Sequence, residues 1–172
     1  MSATPSVGPG ATNMVTAAGV AHANRLPVLL ISGDTYINRL PDPVLQQVEH
    51  YGEPSTTVND SFRSVSRFWD RIIHPAQIIS SLPQAVATML EPADCGPAFI
   101  GLPQDVQEIA YDYPVEFFEE TLWSIPRARP DRDQVAAAAA LLKIAKKPLI
   151  LAGGVVRYSG AAEVLADFAT AR

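Results

Sequence analysis

Three stretches of the chain are apolar without alternation: Pro27–Gly33, Gly96–Pro103 and Pro148–Gly154. A strand with no polar positions is buried on both faces, so these runs predict a mostly parallel sheet covered by helices. Residues 3–7 read as a short strand ahead of the first run. Between them, Met14–Asn24 runs through Val15, Ala17, Ala18, Gly19, Val20, Ala21 and Ala23, a helix of small side chains. Strand, helix and strand within about 30 residues make a βαβ unit. Pro75 opens a helix with apolar residues at Ile78, Ile79, Leu82, Val86, Met89 and Leu90. Pro83 inside that pattern predicts a kink or a division into two pieces.

The rest of the chain is less regular. Pro41-Asp42-Pro43 begins a helix with Asp42 as N-cap and Val44–His50 as its body. Thr56-Thr57-Val58 is β-branched and reads as a short strand. Phe62, Val65, Phe68, Trp69, Ile72 and Ile73 are spaced for an amphipathic helix, for two helical turns, or for a mixed loop. Gln104–Gln107 follows the second apolar run at its C-terminal end. From Tyr111 to Pro130, aromatic residues alternate with acids and prolines, an extended linker that lays rings on a surface. Asp131 or Asp133 caps a helix over Gln134–Lys146, whose basic C-terminal end suits the helix dipole. Ser159-Gly160 opens a last helix, Ala161–Ala171. The apolar faces made after Asp131 have too few partners within this chain.

Ser6-Val7-Gly8-Pro9-Gly10-Ala11-Thr12-Asn13 is the stretch around which the first part is organised. It reads as the end of a strand, a tight turn and the first turn of a helix. The glycines permit backbone angles closed to other residues and close approach by another group. Pro9 fixes its own φ, and Thr12 or Asn13 is a candidate cap. Two readings stand side by side. One is a packed core helix behind a turn; the other is a ligand site at a strand-to-helix switch.

Composition narrows the function classes. The chain has 172 residues, 48% hydrophobic and 18% charged, as in globular domains. Lys plus Arg is 13 against 18 Asp plus Glu, a net charge of −5. With no basic run to collect phosphates, this argues against a nucleic-acid or anionic-membrane surface. Cys95 is the single cysteine, and no Cys/His spacing suggests zinc. No apolar run approaches the roughly 18 residues of a membrane span, and no signal peptide is visible. A reducing, cytoplasmic compartment is the expectation.

Three features fall in order: Gly8-Pro9-Gly10-Ala11-Thr12-Asn13, the strand to Leu102 followed by Pro103-Gln104-Asp105-Val106-Gln107, and Lys147-Pro148-Leu149-Ile150-Leu151-Ala152-Gly153-Gly154 after an Ala-rich helix. Together they resemble the thiamine-diphosphate enzymes of the acetolactate-synthase type. Four further stretches look like one branch, the trihydroxycyclohexane-dione hydrolases of inositol catabolism. They are Pro41 to Gln47, Asn59 to Arg63, Ser66 to Ile72 and Ala110 to Pro114. The resemblance covers nearly the whole chain and implies an incomplete three-layer α/β/α fold. Residues 1–113 would be the second half of a pyrimidine-binding domain, 114–130 an interdomain linker, and 131–172 the beginning of a central domain.

The resemblance also implies chemistry. The parent enzyme would use thiamine diphosphate and Mg2+ to hydrolyse a C–C bond of a cyclic dione, releasing 5-deoxy-glucuronate. Ser6, Pro9 and Asn13 would lie near the aminopyrimidine ring, with Gly8 and Gly10 allowing its approach. Gln46 falls near a substrate-facing glutamine of relatives, with Gln47 as the neighbouring alternative and a solvated helix glutamine as the bland reading. Asn13 is equally a helix cap.

The family's catalytic glutamate lies upstream of the Gly-Pro-Gly turn, and none of the seven residues before Gly8 is acidic. Nor is there a metal-binding motif: Gly33-Asp34 runs into Thr35, and Gly153-Gly154 lacks an acid. The expectation is an internal fragment, inactive alone, with no cofactor of its own, that self-associates as a homo-oligomer. Two rivals remain: an acetolactate-synthase-like carboligase or lyase, and a non-catalytic α/β assembly module. His22, His50 and His74 read as packed, surface or capping groups, and Cys95 as a small buried residue. Asp60, Arg63, Arg67, Asp70 and Arg71 form an ion-paired face first and a hydroxyl-recognition cluster second.

Overall fold

The computed structural model describes residues 1–38, 46, 48 and 50–171. They divide into two units, Met1–Pro126 and Arg127–Arg172. Most of the helix expected after Pro41 lies outside the described residues; Gln46, Val48 and His50, which are described, are not helical.

In the first unit, two of the apolar runs become the central strands of a parallel sheet. β1 is Ser2–Ala3, β2 Leu29–Asp34, β3 Phe68–Arg71 and β4 Ala98–Pro103. Their order is β1-β2-β4-β3 and every pairing is parallel. β2 and β4 run in register from Leu29 opposite Ala98 to Asp34 opposite Pro103. β1 is shorter than the strand expected over residues 3–7. Pro5 has no N–H to continue the ladder, and the chain leaves the sheet there.

Helices cover both faces. On one face Leu30 and Phe99 pack with Ala11, Ala18 and Phe62. These come from α1 (Pro9–Thr12), α2 (Val15–Ala23) and a 3₁₀ turn at Val58–Ser64. Phe62 and Phe99 stack with ring centroids 4.3 Å apart. On the other face Ala98 and Ile100 pack with Ile72, Ala85 and Val106. There α3 (Ile78–Leu90) and α4 (Gln104–Gln107) form the layer. The fold class is α/β, as the unbroken apolar runs predict. Burying Phe62 and Phe99 contributes roughly 1.5–3 kcal/mol each.

Local expectations are corrected at four places in this unit. Thr57 is a helix cap, not a strand residue. Its Oγ1 accepts from Asn59 N–H at 3.2 Å, and Asp60 Oδ2 accepts from Thr57 N–H at 2.8 Å. This reciprocal box turns the backbone into the 3₁₀ turn. Phe62–Ile73 is not a helix either, because the free side of β4 recruits Phe68–Arg71. Arg67 N–H donates to Pro97 O at 2.8 Å, and Ile72 N–H to Gly101 O at 2.9 Å. α3 runs unbroken through Pro83; Ile78 and Leu82 before the proline pack on the same core as Ala85 and Met89 after it. Neither Thr12 nor Asn13 caps α2 by its side chain. Thr12 Oγ1 donates instead to Pro9 O at 3.0 Å.

The 111–126 stretch is irregular apart from a 3₁₀ turn at Val115–Phe118. Its rings contact one another in series, His74 to Tyr111, Tyr113 and Phe117.

In the second unit, Asp131 Oδ1 caps α5 (Arg132–Ile144) by accepting from the N–H groups of Asp133 and Gln134. α6 is Gly154–Tyr158 and α7 Ala162–Thr170. The strand expected over Pro148–Gly154 does not form: Leu149 is 84% exposed and Leu151 89%. A strand needs a neighbour for its backbone groups, and this unit has no strand among the described residues.

Candidate functional site

The Gly-Pro-Gly turn sits where β1 gives way to α1, at the C-terminal rim of the parallel sheet. Gly8 takes φ 70° and ψ −125°, a conformation that glycine adopts readily and other residues avoid. Pro9 follows at the first helical position, where its missing N–H is not needed. A side chain at Gly10 would put its Cβ 3.3 Å from Ser6 Cβ, so the close approach of Ser6 depends on Gly10 being bare.

Ser6 is exposed, and its Oγ donates to Gln46 Oε1 at 2.9 Å. The structure thus joins two residues that the sequence singles out 40 positions apart. Gln46 has φ 66°, a left-handed conformation that costs a non-glycine residue about 1 kcal/mol or more. Asn13 ends α1 as its C-cap and is exposed. Gln47 lies outside the described residues.

Beside the turn is a cavity of about 360 Å³, whose lining includes Ser6, Val7, Ser32, Asp34, Gln104 and Gln107. Ligands of open α/β sheets bind at this rim. Ser32, Asp34 and Asn59 are buried polar residues on the inner side of the rim. The sequence signal for Ser32 and Asp34 is the polar ending of an otherwise apolar strand, Ser32-Gly33-Asp34.

Arg71 organises these groups. Its Nε donates to Asp34 Oδ2 at 2.8 Å, and its Nη2 to Thr57 Oγ1 at 2.7 Å and to Asp60 Oδ2 at 2.8 Å. Burial alone would raise the Asp60 carboxyl. The Thr57 N–H and the guanidinium groups of Arg63 and Arg71 outweigh it and hold Asp60 below the ordinary aspartate value. Burial would weaken the Arg71 charge, but its two carboxylate partners raise its pKa. Arg63 also lies over the Trp69 ring, 3.5 Å from the centroid.

Asn59 Nδ2 donates to Gly33 O at 2.8 Å. Its Oδ1 is buried with no hydrogen-bond partner among the described residues, which costs about 1–3 kcal/mol.

The charged cluster of the sequence therefore divides. Asp60, Arg63 and Arg71 are ion-paired at the rim. Arg67 pairs elsewhere, with Asp94 at 3.2 Å, and Asp70 Oδ1 accepts from Arg71 N–H.

Comparison with known proteins bears on this geometry. The chain is 49% identical over 169 residues to a protein of Geobacillus thermodenitrificans named 3D-(3,5/4)-trihydroxycyclohexane-1,2-dione hydrolase. A protein of Clostridium tetani with the same name is 50% identical over 165 residues. A Bacillus cereus protein of that name, numbered 2, is 48% identical over 171 residues. These matches take in 96–99% of this chain. The chain is homologous to a segment of these hydrolases. It spans about a quarter of their length, 26–27%. No family model matches it.

Beside these hydrolase relatives, the remaining reactive side chains of this chain have structural places. Cys95 Sγ donates to Met89 O at 3.1 Å and Arg25 O at 3.2 Å, and burial pushes its thiol up, away from the reactive thiolate. His74 Nδ1 accepts from Ala76 N–H at 3.2 Å and caps the turn before α3. Among the described residues no group of three or more His, Cys, Asp or Glu is placed to hold a metal ion. No helix among them is long and apolar enough to cross a membrane.

Proposed function

We propose that this chain is part of a thiamine-diphosphate-dependent hydrolase that adds water across a C–C bond of 3D-(3,5/4)-trihydroxycyclohexane-1,2-dione, yielding 5-deoxy-glucuronate. The observation that carries this reading is 47–50% identity to proteins of that name across nearly the whole chain. In this reading residues 1–113 are the second half of a pyrimidine-binding domain, 114–130 a linker and 131–172 the start of a central domain. The protein works in the cytoplasm as a homo-oligomer.

The rim suits one end of the cofactor. A flat aminopyrimidine needs a wall without side chains and polar groups along its edge. Gly8 and Gly10 leave that wall bare, and a Cβ at Gly10 would crowd Ser6. Ser6, Gly8, Pro9, Gly10 and Asn13 are assigned to this edge. The diphosphate and Mg2+ are assigned to other segments of the parent. When bound, the cofactor supplies an electron sink for the carbon whose bond is broken. Ser6 orients Gln46 through the bond from its Oγ, and Gln46 presents its amide N–H groups to the substrate's oxygens.

The test is turnover by the full-length parent. Cofactor-dependent consumption of the cyclic dione, with no condensation of pyruvate, is expected. Pyruvate condensation without dione turnover would instead establish the acetolactate-synthase reading, and neither activity would favour an assembly module. The 172-residue chain alone is expected to be inactive and not to bind the cofactor appreciably. Micromolar, Mg2+-dependent binding in a calorimetric titration would refute that.

A further inference from the structure

We propose that Asn59 is the positioning residue of this rim: it fixes the Ser6–Val7 peptide by holding Gly33, on which that peptide is seated. Gly33 is the contact point. A Cβ there would lie 3.2 Å from Val7 N and 3.8 Å from Ser6 C, so the loop rests directly on its bare Cα. Gly33 N–H also reaches Pro5 O, at 3.4 Å. Among the described residues no strand continues beyond Ala3 on that side of β2, and the Gly33 carbonyl accepts instead from Asn59 Nδ2 at 2.8 Å and from Ser32 Oγ at 2.9 Å.

Asn59 is itself held on several sides. Its N–H donates to Thr57 Oγ1, and its carbonyl accepts from Trp69 Nε1 at 2.9 Å. Arg71 clamps Thr57 and Asp60 around the same turn. The buried Oδ1, without a hydrogen-bond partner among the described residues, fits this role. The amide is placed for its bond to Gly33 and not for its own full satisfaction. A chain of direct contacts therefore runs from Arg71 through Thr57, Asn59 and Gly33 to Ser6, and from Ser6 Oγ to Gln46.

The first test needs no cofactor. Backbone ¹⁵N order parameters of Ser6, Val7 and Gly8 are measured in the 172-residue chain. In Asn59→Ala they should fall from the rigid range near about 0.85 to below about 0.6. Phe62→Leu loosens the same core without touching Gly33 and should leave them unchanged. Unchanged values in Asn59→Ala, or an equal fall in Phe62→Leu, overturn the proposal. If Asn59→Ala does not fold, Gly33→Ala decides: it keeps Asn59, presses on Val7 N, and should shift the Val7 amide resonance and lower the same order parameters. No change there overturns the proposal.

The consequence for catalysis rests on the function proposed above. In the full-length parent, Asn59→Ala should raise the thiamine diphosphate half-saturation concentration about fivefold, the worth of one hydrogen bond, with kcat at saturation retained. Loosened order parameters with unchanged cofactor affinity would uphold the brace and overturn the assignment of the turn to the cofactor.

Discussion

Replacing Arg71 with methionine is the most informative perturbation of the rim. The change keeps most of the aliphatic bulk and removes three hydrogen bonds, to Asp34, Thr57 and Asp60. The three are not equal. The Asp34 side chain is fully buried and that of Arg71 is 15% exposed, whereas Asp60 keeps 22% exposure. Losing one partner of a buried pair costs roughly 3–5 kcal/mol, because the other charge is stranded. Water reaches the Asp60 side, which places the expected loss near the lower end, about 3 kcal/mol. With a urea m-value of about 2 kcal/mol/M, the midpoint should fall by about 1.5 M. The assay is urea unfolding of the chain followed by circular dichroism at 222 nm. Asp34→Asn added to Arg71→Met should recover part of the loss, since the stranded charge is then gone. Arg71→Lys should not restore stability, because a single ammonium lacks the fork that spans Asp34 and Asp60. A loss below about 1 kcal/mol, or no recovery in the double variant, would refute the view that a buried charge pair dominates here.

Three further outcomes follow from the same structure. Asp60 is held below its ordinary value, so its ionised form is favoured by folding. Its contribution is complete above the unfolded aspartate value of about 3.9 and is lost as pH falls through the folded value. The stability gap between the native chain and Asp60→Asn, read from unfolding curves at stepped pH, should therefore shrink below about pH 4 and stay constant above it. Gly101→Ala puts a Cβ 2.9 Å from Asp34 Oδ2 in the central strand; a loss of about 1–3 kcal/mol in the same urea assay is expected from overpacking. Asp131→Ala removes the cap of α5 and should lower helix content in the second unit with a loss of about 1 kcal/mol, whereas an unchanged helix signal would count against the cap.

The chain by itself determined the elements whose signal is local or runs the length of the element. The largely apolar runs at Pro27–Gly33 and Gly96–Pro103 specified buried parallel strands, because they lack the polar alternation that would leave one face for water. The helical spacing from Ile78 to Leu90 specified α3, and the pair Asp131 and Asp133 marked the start of α5, with the structure selecting Asp131 as the cap. The glycines on either side of Pro9 specified the turn. Tertiary structure decided what depends on a partner distant in sequence. Phe68–Arg71 has a helical spacing and became a strand, because the exposed side of β4 offered unpaired backbone groups. Pro148–Gly154 has a strand's composition and formed none, because its unit holds no other strand among the described residues. The meeting of Ser6 with Gln46 and of Arg71 with Asp34 joins residues about 40 positions apart. Periodicity records which way a side chain faces along its own element. It holds no information about which other element's polar groups will be waiting there.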